Sequence, residues 1–349
     1  MPNTKIKVLI IDDSVVMRQT LSHILSKDRQ IKVIGTAADP FIAAEMISKE
    51  PPDVITLDIE MPRMDGLTFL SKIMSQRPIP TVIISRFTEK GSGNAIRALE
   101  IGAIEVIDKN TLGAKSKTET EQHIIHLVKV ASKAMVRRKN LTGHSTFKRS
   151  SMNDAKSLPS EQVIAFGAST GGTVALASIL QNMPPNCPGI VIVQHMPQAF
   201  TRSFAEHLNS ICQITVKEAE DLTPILKGQA LIAPGNQHMT VINTGRHFSV
   251  SLNDAEAINR HKPSVDVLFY SLAECAASKS VGIILTGMGT DGSQGLLALK
   301  QAGAMTIAQD ENSCSVYGMP KEAIRLHAAE HILPLSEIAP FLIKSLDKK

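Results

Sequence analysis

Three residues of the C-terminal half each follow a short apolar, strand-like run: Ser169 in GASTGG (167–172), His195 after Ile190–Gln194, and Asp291 in TGMGTDG (286–292). A serine hydroxyl is a weak nucleophile at neutral pH and needs an adjacent base. Histidine can be that base, and a carboxylate can fix its tautomer and support the imidazolium. The glycine-rich turn at 167–172 has a second reading, because backbone N–H groups at a helix N-terminus cradle a phosphate or dinucleotide as readily as an oxyanion. The spacing lacks the full G-x-G-x-x-G fingerprint, however, and the next strand ends in Gln194-His195 instead of an acid for a ribose. The nucleophile reading is favoured. Its order, Ser…His…Asp, is not the Ser…Asp/Glu…His of the α/β-hydrolases, so a different fold is expected. His238 and His207 are rival bases, and Asp310 and Asp266 rival acids. Taken singly, Ser169 or Asp291 could be a helix cap and His195 an ordinary half-buried histidine.

The N-terminal half carries a second cluster. Asp12 and Asp13 follow one strand-like run and Asp58 another, while Ser85 and Lys109 end or follow two more. In an open α/β sheet, sites gather at the C-terminal ends of strands. Three carboxylates held together repel unless a cation bridges them, and oxygen-only ligands select a hard cation such as Mg²⁺, which also neutralises an incoming phosphoryl group. A lysine can pair with that group as a point charge.

These side chains need a scaffold that brings strand ends together. In the first third, apolar runs at Lys7–Ile11, Ile31–Thr36, Val54–Leu57, Thr81–Ser85 and Ala103–Ile107 alternate with helical patterns near Val15–Ser26, Pro40–Lys49, Gly66–Gln76, Gly93–Glu100 and Thr118–Arg138. This predicts an α/β unit with a parallel sheet covered on both faces. Residues 139–160 are polar, Ser-rich and aperiodic, and read as a linker. A second alternation follows, with strands at Val163–Ala168, Ile190–Gln194, Gln213–Lys217, Val281–Leu285 and Ala304–Ala308. Its helices are expected at Gly172–Gln181, Ala199–Ser210, Ser264–Ala277 and Gly292–Ala302. Gln229–Ala233 and His238–Ile242, separated by Pro-Gly-Asn-Gln, read as an antiparallel hairpin. The expected architecture is two doubly wound parallel-sheet domains, flavodoxin-like at 1–138 and Rossmann-like at 161–349.

A chain of 349 residues with 43% hydrophobic and 20% charged residues fits such a globular pair. A net charge of +4 without a long Lys/Arg block argues against nucleic-acid binding. Cys187, Cys212, Cys275 and Cys314 form no C-x-x-C pair, as expected in a reducing cytosol. The N-terminus runs into a strand without a signal-like apolar stretch, and no run approaches the ~20 residues of a membrane span. A cytoplasmic location without membrane insertion is expected.

The runs VLIIDDS (8–14) and DVITLDIEMPRMDGL (53–67), with Ser85 and Lys109, resemble the receiver domain of bacterial response regulators over about Lys5 to Ala131. The resemblance implies that Asp58 takes a phosphoryl group from a histidine kinase. It further implies that Asp12, Asp13, Asp58 and the Glu60 carbonyl hold Mg²⁺, and that Ser85 and Lys109 sense the phosphoryl group. Asn110 stands where that family usually has proline, and Val106 where it often has an aromatic switch residue.

GASTGG, QHMPQAFTRSFAEHLN (194–209), ALIAPGNQHM (230–239), LTGMGTDGSQGL (285–296) and AGAMTIAQDENSCSVYGMPKEAI (302–324) resemble the chemotaxis protein-glutamate methylesterases over about Gln162 to Ile343. This resemblance implies a serine hydrolase, activated by phosphorylation and needing no cofactor for hydrolysis. It would remove methyl esters from glutamates of chemotaxis receptors, and deamidate glutamines there, in sensory adaptation. Ser169 would be the nucleophile, His195 the base and Asp291 the orienting acid, with Thr170 and Met288 lining the active site and oxyanion hole.

Overall fold

The computed structural model describes residues 5–86, 92–110, 117–134, 136 and 158–346. The chain divides into two compact units between residues 143 and 144.

The first unit runs β1 (Ile6–Ile11), α1 (Val15–Ser26), β2 (Ile31–Ala37), α2 (Pro40–Lys49), β3 (Val54–Leu57) and α3 (Gly66–Gln76). It continues with β4 (Thr81–Ser85), α4 (Ser92–Ile101), β5 (Glu105–Asp108) and α5 (Lys117–Ala131). Short polar side chains start the helices: Ser14 Oγ accepts from Met17 N–H, Asp39 from Phe41 and Ile42, and Asp65 from Thr68. The five strands are all parallel in the order β2-β1-β3-β4-β5, the flavodoxin-like arrangement. Register then does the positioning. Ile11 pairs with Leu57, so Asp12 and Asp58 emerge side by side, and Ser85 pairs with Asp108, which puts Lys109 one residue beyond.

The helix expected to reach Arg138 ends at Ala131. Residues 137–157, which hold most of the predicted linker, lie outside the described residues. Leu158 to Ser160, read as the end of that linker, are instead hydrogen-bonded into the second unit. Lys227 N–H donates to the Leu158 carbonyl at 3.0 Å, Ser160 N–H to Ile225 at 2.9 Å, and Ser160 Oγ accepts from Gly189 N–H at 2.8 Å. Polar composition suggested solvent exposure, but this hydroxyl satisfies a strand-end N–H that would otherwise be buried unpaired.

The second unit begins β6 (Val163–Ala168), α6 (Gly172–Leu180), β7 (Gly189–Gln194), α7 (Gln198–Ile211), β8 (Thr215–Glu218) and β9 (Gln229–Ile232). After β10 (His238–Asn243) and β11 (Phe248–Asn253) come α8 (Val265–Cys275), β12 (Ser280–Ile284), α9 (Ser293–Gln301), β13 (Met305–Gln309), α10 (Met319–Arg325), β14 (His331–Leu333) and α11 (Leu335–Leu346). Seven parallel strands stand in the order β14-β13-β12-β6-β7-β9-β8. Every residue of β6, β7, β9 and β12 is buried, which accounts for their unbroken apolar runs. The direction of strand addition reverses beside β6, and a doubly wound sheet offers its crevice at such a switch point.

The predicted hairpin is corrected in its partners. β9 pairs in parallel with β7 and β8, while the antiparallel ribbon joins β10 to β11 through a turn with Gly245 at φ +82°. Gln229–Ile232 is buried throughout and is satisfied only inside the main sheet. The β10–β11 ribbon packs on α8, where Ser271 Oγ accepts from Val241 N–H at 2.9 Å.

Candidate functional sites

β12, β6 and β7 are neighbours in the second sheet, with Ile284 opposite Gly167 and Ala168 opposite Gln194. Their C-terminal loops therefore open together and carry Asp291, Ser169 and His195. Ser169 is held by its main chain. Its N–H donates to the Thr286 carbonyl at 3.1 Å, and its carbonyl accepts from Gly172 N–H at 2.7 Å and from Gln194 Nε2 at 2.9 Å. It is not the cap of α6: that position belongs to Gly171, at φ +78°, where an added Cβ would fall 2.6 Å from Ser315 Cβ. The loop after β12 presses equally close, since a Cβ on Gly287 would lie 2.8 Å from Ser169 Cβ. Met288, the next residue, is half-buried. Thr170 is buried and its carbonyl accepts from Thr286 Oγ1 at 3.1 Å.

His195 Nε2 lies 2.8 Å from Asp291 Oδ2. A carboxylate accepts, so the imidazole carries its proton on Nε2 and its lone pair on Nδ1. Nδ1 is buried and has no hydrogen-bond partner among the described residues. Asp291 sits at the N-terminus of α8, where its carboxylate also accepts from Ser264 Oγ at 2.7 Å, Val265 N–H at 2.7 Å and Asp266 N–H at 3.3 Å. Burial alone would raise its pKa, but the hydrogen bond and charge of His195, with the Ser264 and Val265 donors, hold the carboxyl well below its usual range. Hydrogen bonds to a charged group contribute about 1.5–3 kcal/mol each, and four of them outweigh a desolvation cost of several kcal/mol. The Asp291 carboxyl is therefore ionised at neutral pH.

The rivals are occupied elsewhere. His238 is buried, its Nδ1 accepting from Ser264 N–H at 3.2 Å and its Nε2 lying 3.0 Å from the Glu256 carbonyl. His207 lies within α7. Asp310 caps a turn through Ser313 N–H at 3.0 Å. Asp266 accepts from Gly295 N–H at 2.6 Å and from Asn259 Nδ2 at 3.0 Å. Burial pushes the Cys187 thiol up to about 11 and those of Cys212 and Cys314 up to about 12, so none is a thiolate nucleophile at neutral pH.

Burial, with the nearby Asp291 charge, pushes the Asp266 carboxyl up to about 6. The stability this group contributes is thus present below the ordinary aspartate pKa of about 3.9 and lost as pH rises through about 6. In Asp291→Asn the neighbouring charge is gone while burial remains. Carboxyl ¹³C titration should then show the Asp266 midpoint moving down but staying above the ordinary value; an unmoved midpoint would refute the charge coupling.

Sequence reasoning did not single out Gln194, Ser264 or His261. Gln194 Nε2 ties the Ser169 and His195 carbonyls, at 2.9 and 3.1 Å. His261 stacks on His195 with ring centroids 3.8 Å apart and planes within 5°. The QH pair at the strand end was the one legible signal for Gln194; Ser264 showed only as the start of a predicted helix, and His261 lies in a segment without periodicity.

In the first unit, Ser85 Oγ donates to Asp58 Oδ1 at 2.6 Å, and Lys109 Nζ lies 2.5 Å from Asp58 Oδ2 and 2.7 Å from Asp12 Oδ2. Burial raises the Asp12 carboxyl above its ordinary value, against the pull of Lys109. Asp12, Asp13 and Asp58 can each offer an oxygen within 4.8 Å of the others, a donor set that fits a hard cation. Glu60 is exposed, and its N–H donates to Asp58 Oδ1 at 3.3 Å. Val106 is buried in β5, whereas Asn110 is exposed with its N–H on Asp108 Oδ1 at 2.9 Å. Among the described residues no helix is long and apolar enough to cross a membrane.

Comparison with known proteins identifies a family for each half of the chain. The CheB methylesterase family model matches residues 164–342, and the response regulator receiver domain model matches residues 8–117. A protein-glutamate methylesterase/protein-glutamine glutaminase of Geobacter metallireducens is 51% identical over 345 residues, covering 96% of this chain and 97% of its own. The protein of the same name from Shigella flexneri is 46% identical, covering 98% and 97%. The crystal structure of the Thermotoga maritima CheB methylesterase catalytic domain is 40% identical with a TM-score of 0.52, covering 53% of this chain and 98% of its own. The chain belongs to the CheB methylesterase family and carries a response regulator receiver domain ahead of its methylesterase domain.

Proposed function

We propose that this protein is a phosphorylation-activated serine hydrolase that demethylates glutamate γ-methyl esters on the cytoplasmic helices of chemotaxis receptors. The observation that carries the reading is the pairing of ionised Asp291 with His195 Nε2 at 2.8 Å, at the strand ends that also carry Ser169, which leaves Nδ1 as the basic atom. Ser169 Oγ attacks the ester carbonyl while Nδ1 takes its proton, and Asp291 stabilises the imidazolium. Backbone donors near Thr170 and Met288 receive the oxyanion. Nδ1 then protonates the departing methoxide, releasing methanol and leaving a glutamyl ester on Ser169. Water, deprotonated at Nδ1, hydrolyses that ester. A receptor glutamine would pass through the same acyl-enzyme with ammonia as leaving group.

The proposed receiver domain spans 1–138 and the catalytic domain 161–349 together with the 158–160 segment hydrogen-bonded to it, the residues between serving as the linker. Asp58 accepts the phosphoryl group from a chemotaxis histidine kinase. Mg²⁺, held by Asp12, Asp13, Asp58 and the Glu60 carbonyl, would neutralise the charge of that group. Lys109 and Ser85, already on the two Asp58 oxygens, would bind the phosphoryl oxygens afterwards, a reading that these two contacts support. The setting is the cytoplasm, without nucleic acid or membrane insertion, and hydrolysis needs no cofactor.

Methanol release from methylated receptor helices tests this in three samples: the fragment 162–349, the full chain, and the full chain with a phosphodonor and Mg²⁺. The fragment should be faster than the unphosphorylated chain, and phosphorylation should close much of the gap. No methanol from any sample would make the protein a receptor-binding module. Equal rates in all three would remove control by phosphorylation and leave the receiver a recruiting role.

A further inference from the structure

The segment between β11 and α8 is exposed from Asn253 to Arg260, yet it is pinned at several points. Its middle is a two-residue turn in which Ile258 N–H donates to the His261 carbonyl at 3.1 Å and His261 N–H to the Ile258 carbonyl at 2.8 Å. The turn residues Asn259 and Arg260 have φ of 53° and 68°, the mirror-image geometry of tight hairpin turns, which an arginine rarely adopts. The Asn259 side chain is tied to Asp266 at 3.0 Å, in the same first turn of α8 whose N–H groups bind Asp291. His238 ties both sides of the turn, through the Glu256 carbonyl and Ser264 N–H. Lys262 Nζ lies 2.6 Å from Asp254 Oδ1, and the Lys262 carbonyl accepts from Asn236 N–H at 3.2 Å.

A solvent-exposed strap gains little burial from such fastening. What the fastening fixes is the His261 ring, stacked on His195 at 3.8 Å and 5°. On the reading that His195 is the base, we infer that His261 is a positioning residue of the hydrolase: a flat platform that keeps the His195 ring aligned between Asp291 and Ser169. Two effects follow from the stack. A ring against one face blocks rotation of His195 out of the line that joins its partners. When Nδ1 takes the proton, the imidazolium lies against a π face, an attraction stronger for the cation than for the neutral ring. The contact thus favours the transition state over the ground state and acts on kcat more than on KM.

The test compares full-length wild type with His261→Ala and His261→Phe in phosphorylated form, measuring kcat and KM for methanol release. His195 ¹⁵N spectra, whose shifts report which ring nitrogen is protonated, are recorded beside the kinetics. Ser169→Ala and His195→Ala are the controls. His261→Ala should lose roughly 10- to 100-fold in kcat, the scale of a small misplacement of a catalytic group, with KM little changed and the Nε2–H signature of His195 broadened. His261→Phe keeps a planar face and should recover most of both. An unchanged kcat in His261→Ala would overturn the proposal, as would a folded His261→Phe no better than the alanine variant. If instead Ser169→Ala or His195→Ala stayed active, the active-site assignment itself would fall.

Discussion

Ser169→Ala should lower kcat for methanol release by a factor on the order of 10⁴ or more, the scale on which removal of a triad nucleophile acts. Its fold should be unchanged, because the structural bonds of this residue run through its main chain. The N–H goes to Thr286, and the carbonyl accepts from Gly172 and Gln194. Alanine keeps all of them and loses only the hydroxyl. His195→Ala should cost a similar factor, and the double variant little more than either single one, since nucleophile and base act as a unit. Methanol assays and thermal melts on the same preparations check this. Near-wild-type turnover in Ser169→Ala would end the serine mechanism, and multiplicative losses in the double variant would show that Ser169 and His195 act independently.

Asp58→Asn should abolish phosphoryl labelling and leave turnover at the unphosphorylated level whatever phosphodonor is supplied. Among the described residues, the Asp58 carboxylate is the nucleophile at the end of β3 that also faces Ser85 and Lys109, at 2.6 and 2.5 Å. Asparagine matches its size without a nucleophilic oxygen. In the wild type, chelation of Mg²⁺ should block labelling as well, because the incoming phosphoryl group would meet three clustered carboxylates, of which Asp12 and Asp58 already share Lys109. Label that persists in Asp58→Asn would move the acceptor to another residue. Label indifferent to chelator would remove the metal from the account.

Much of both sites was legible because parallel strands place their C-terminal ends together. Asp12, Asp58, Ser85 and Lys109 stand far apart in sequence, but each ends or follows an apolar run. Once those runs are read as one parallel sheet, the side chains must converge at one edge. The same reasoning held for Ser169, His195 and Asp291, whose glycine-dense loops also marked where backbone must pass close to backbone. It failed for Gln229–Ile232, because a short apolar run looks alike beside a parallel or an antiparallel neighbour. Its true partners, Ala230 with Ile190 and Val216, are chosen by burial of both faces.

The sequence by itself determined two α/β halves, the strand ends that carry chemistry and the residue types waiting there. Only the tertiary structure decided which imidazole nitrogen meets Asp291, which N–H groups of α8 keep that acid charged, and that His261 covers the face of His195. Those contacts join positions as much as 96 residues apart. They depend on ring orientation and helix placement, which leave no periodic trace in a segment such as NDAEAINRHKP (253–263). Periodicity records which face of an element is buried, whereas a side-chain hydrogen bond such as His195–Asp291 records where two elements meet. That meeting is settled by packing the whole sheet.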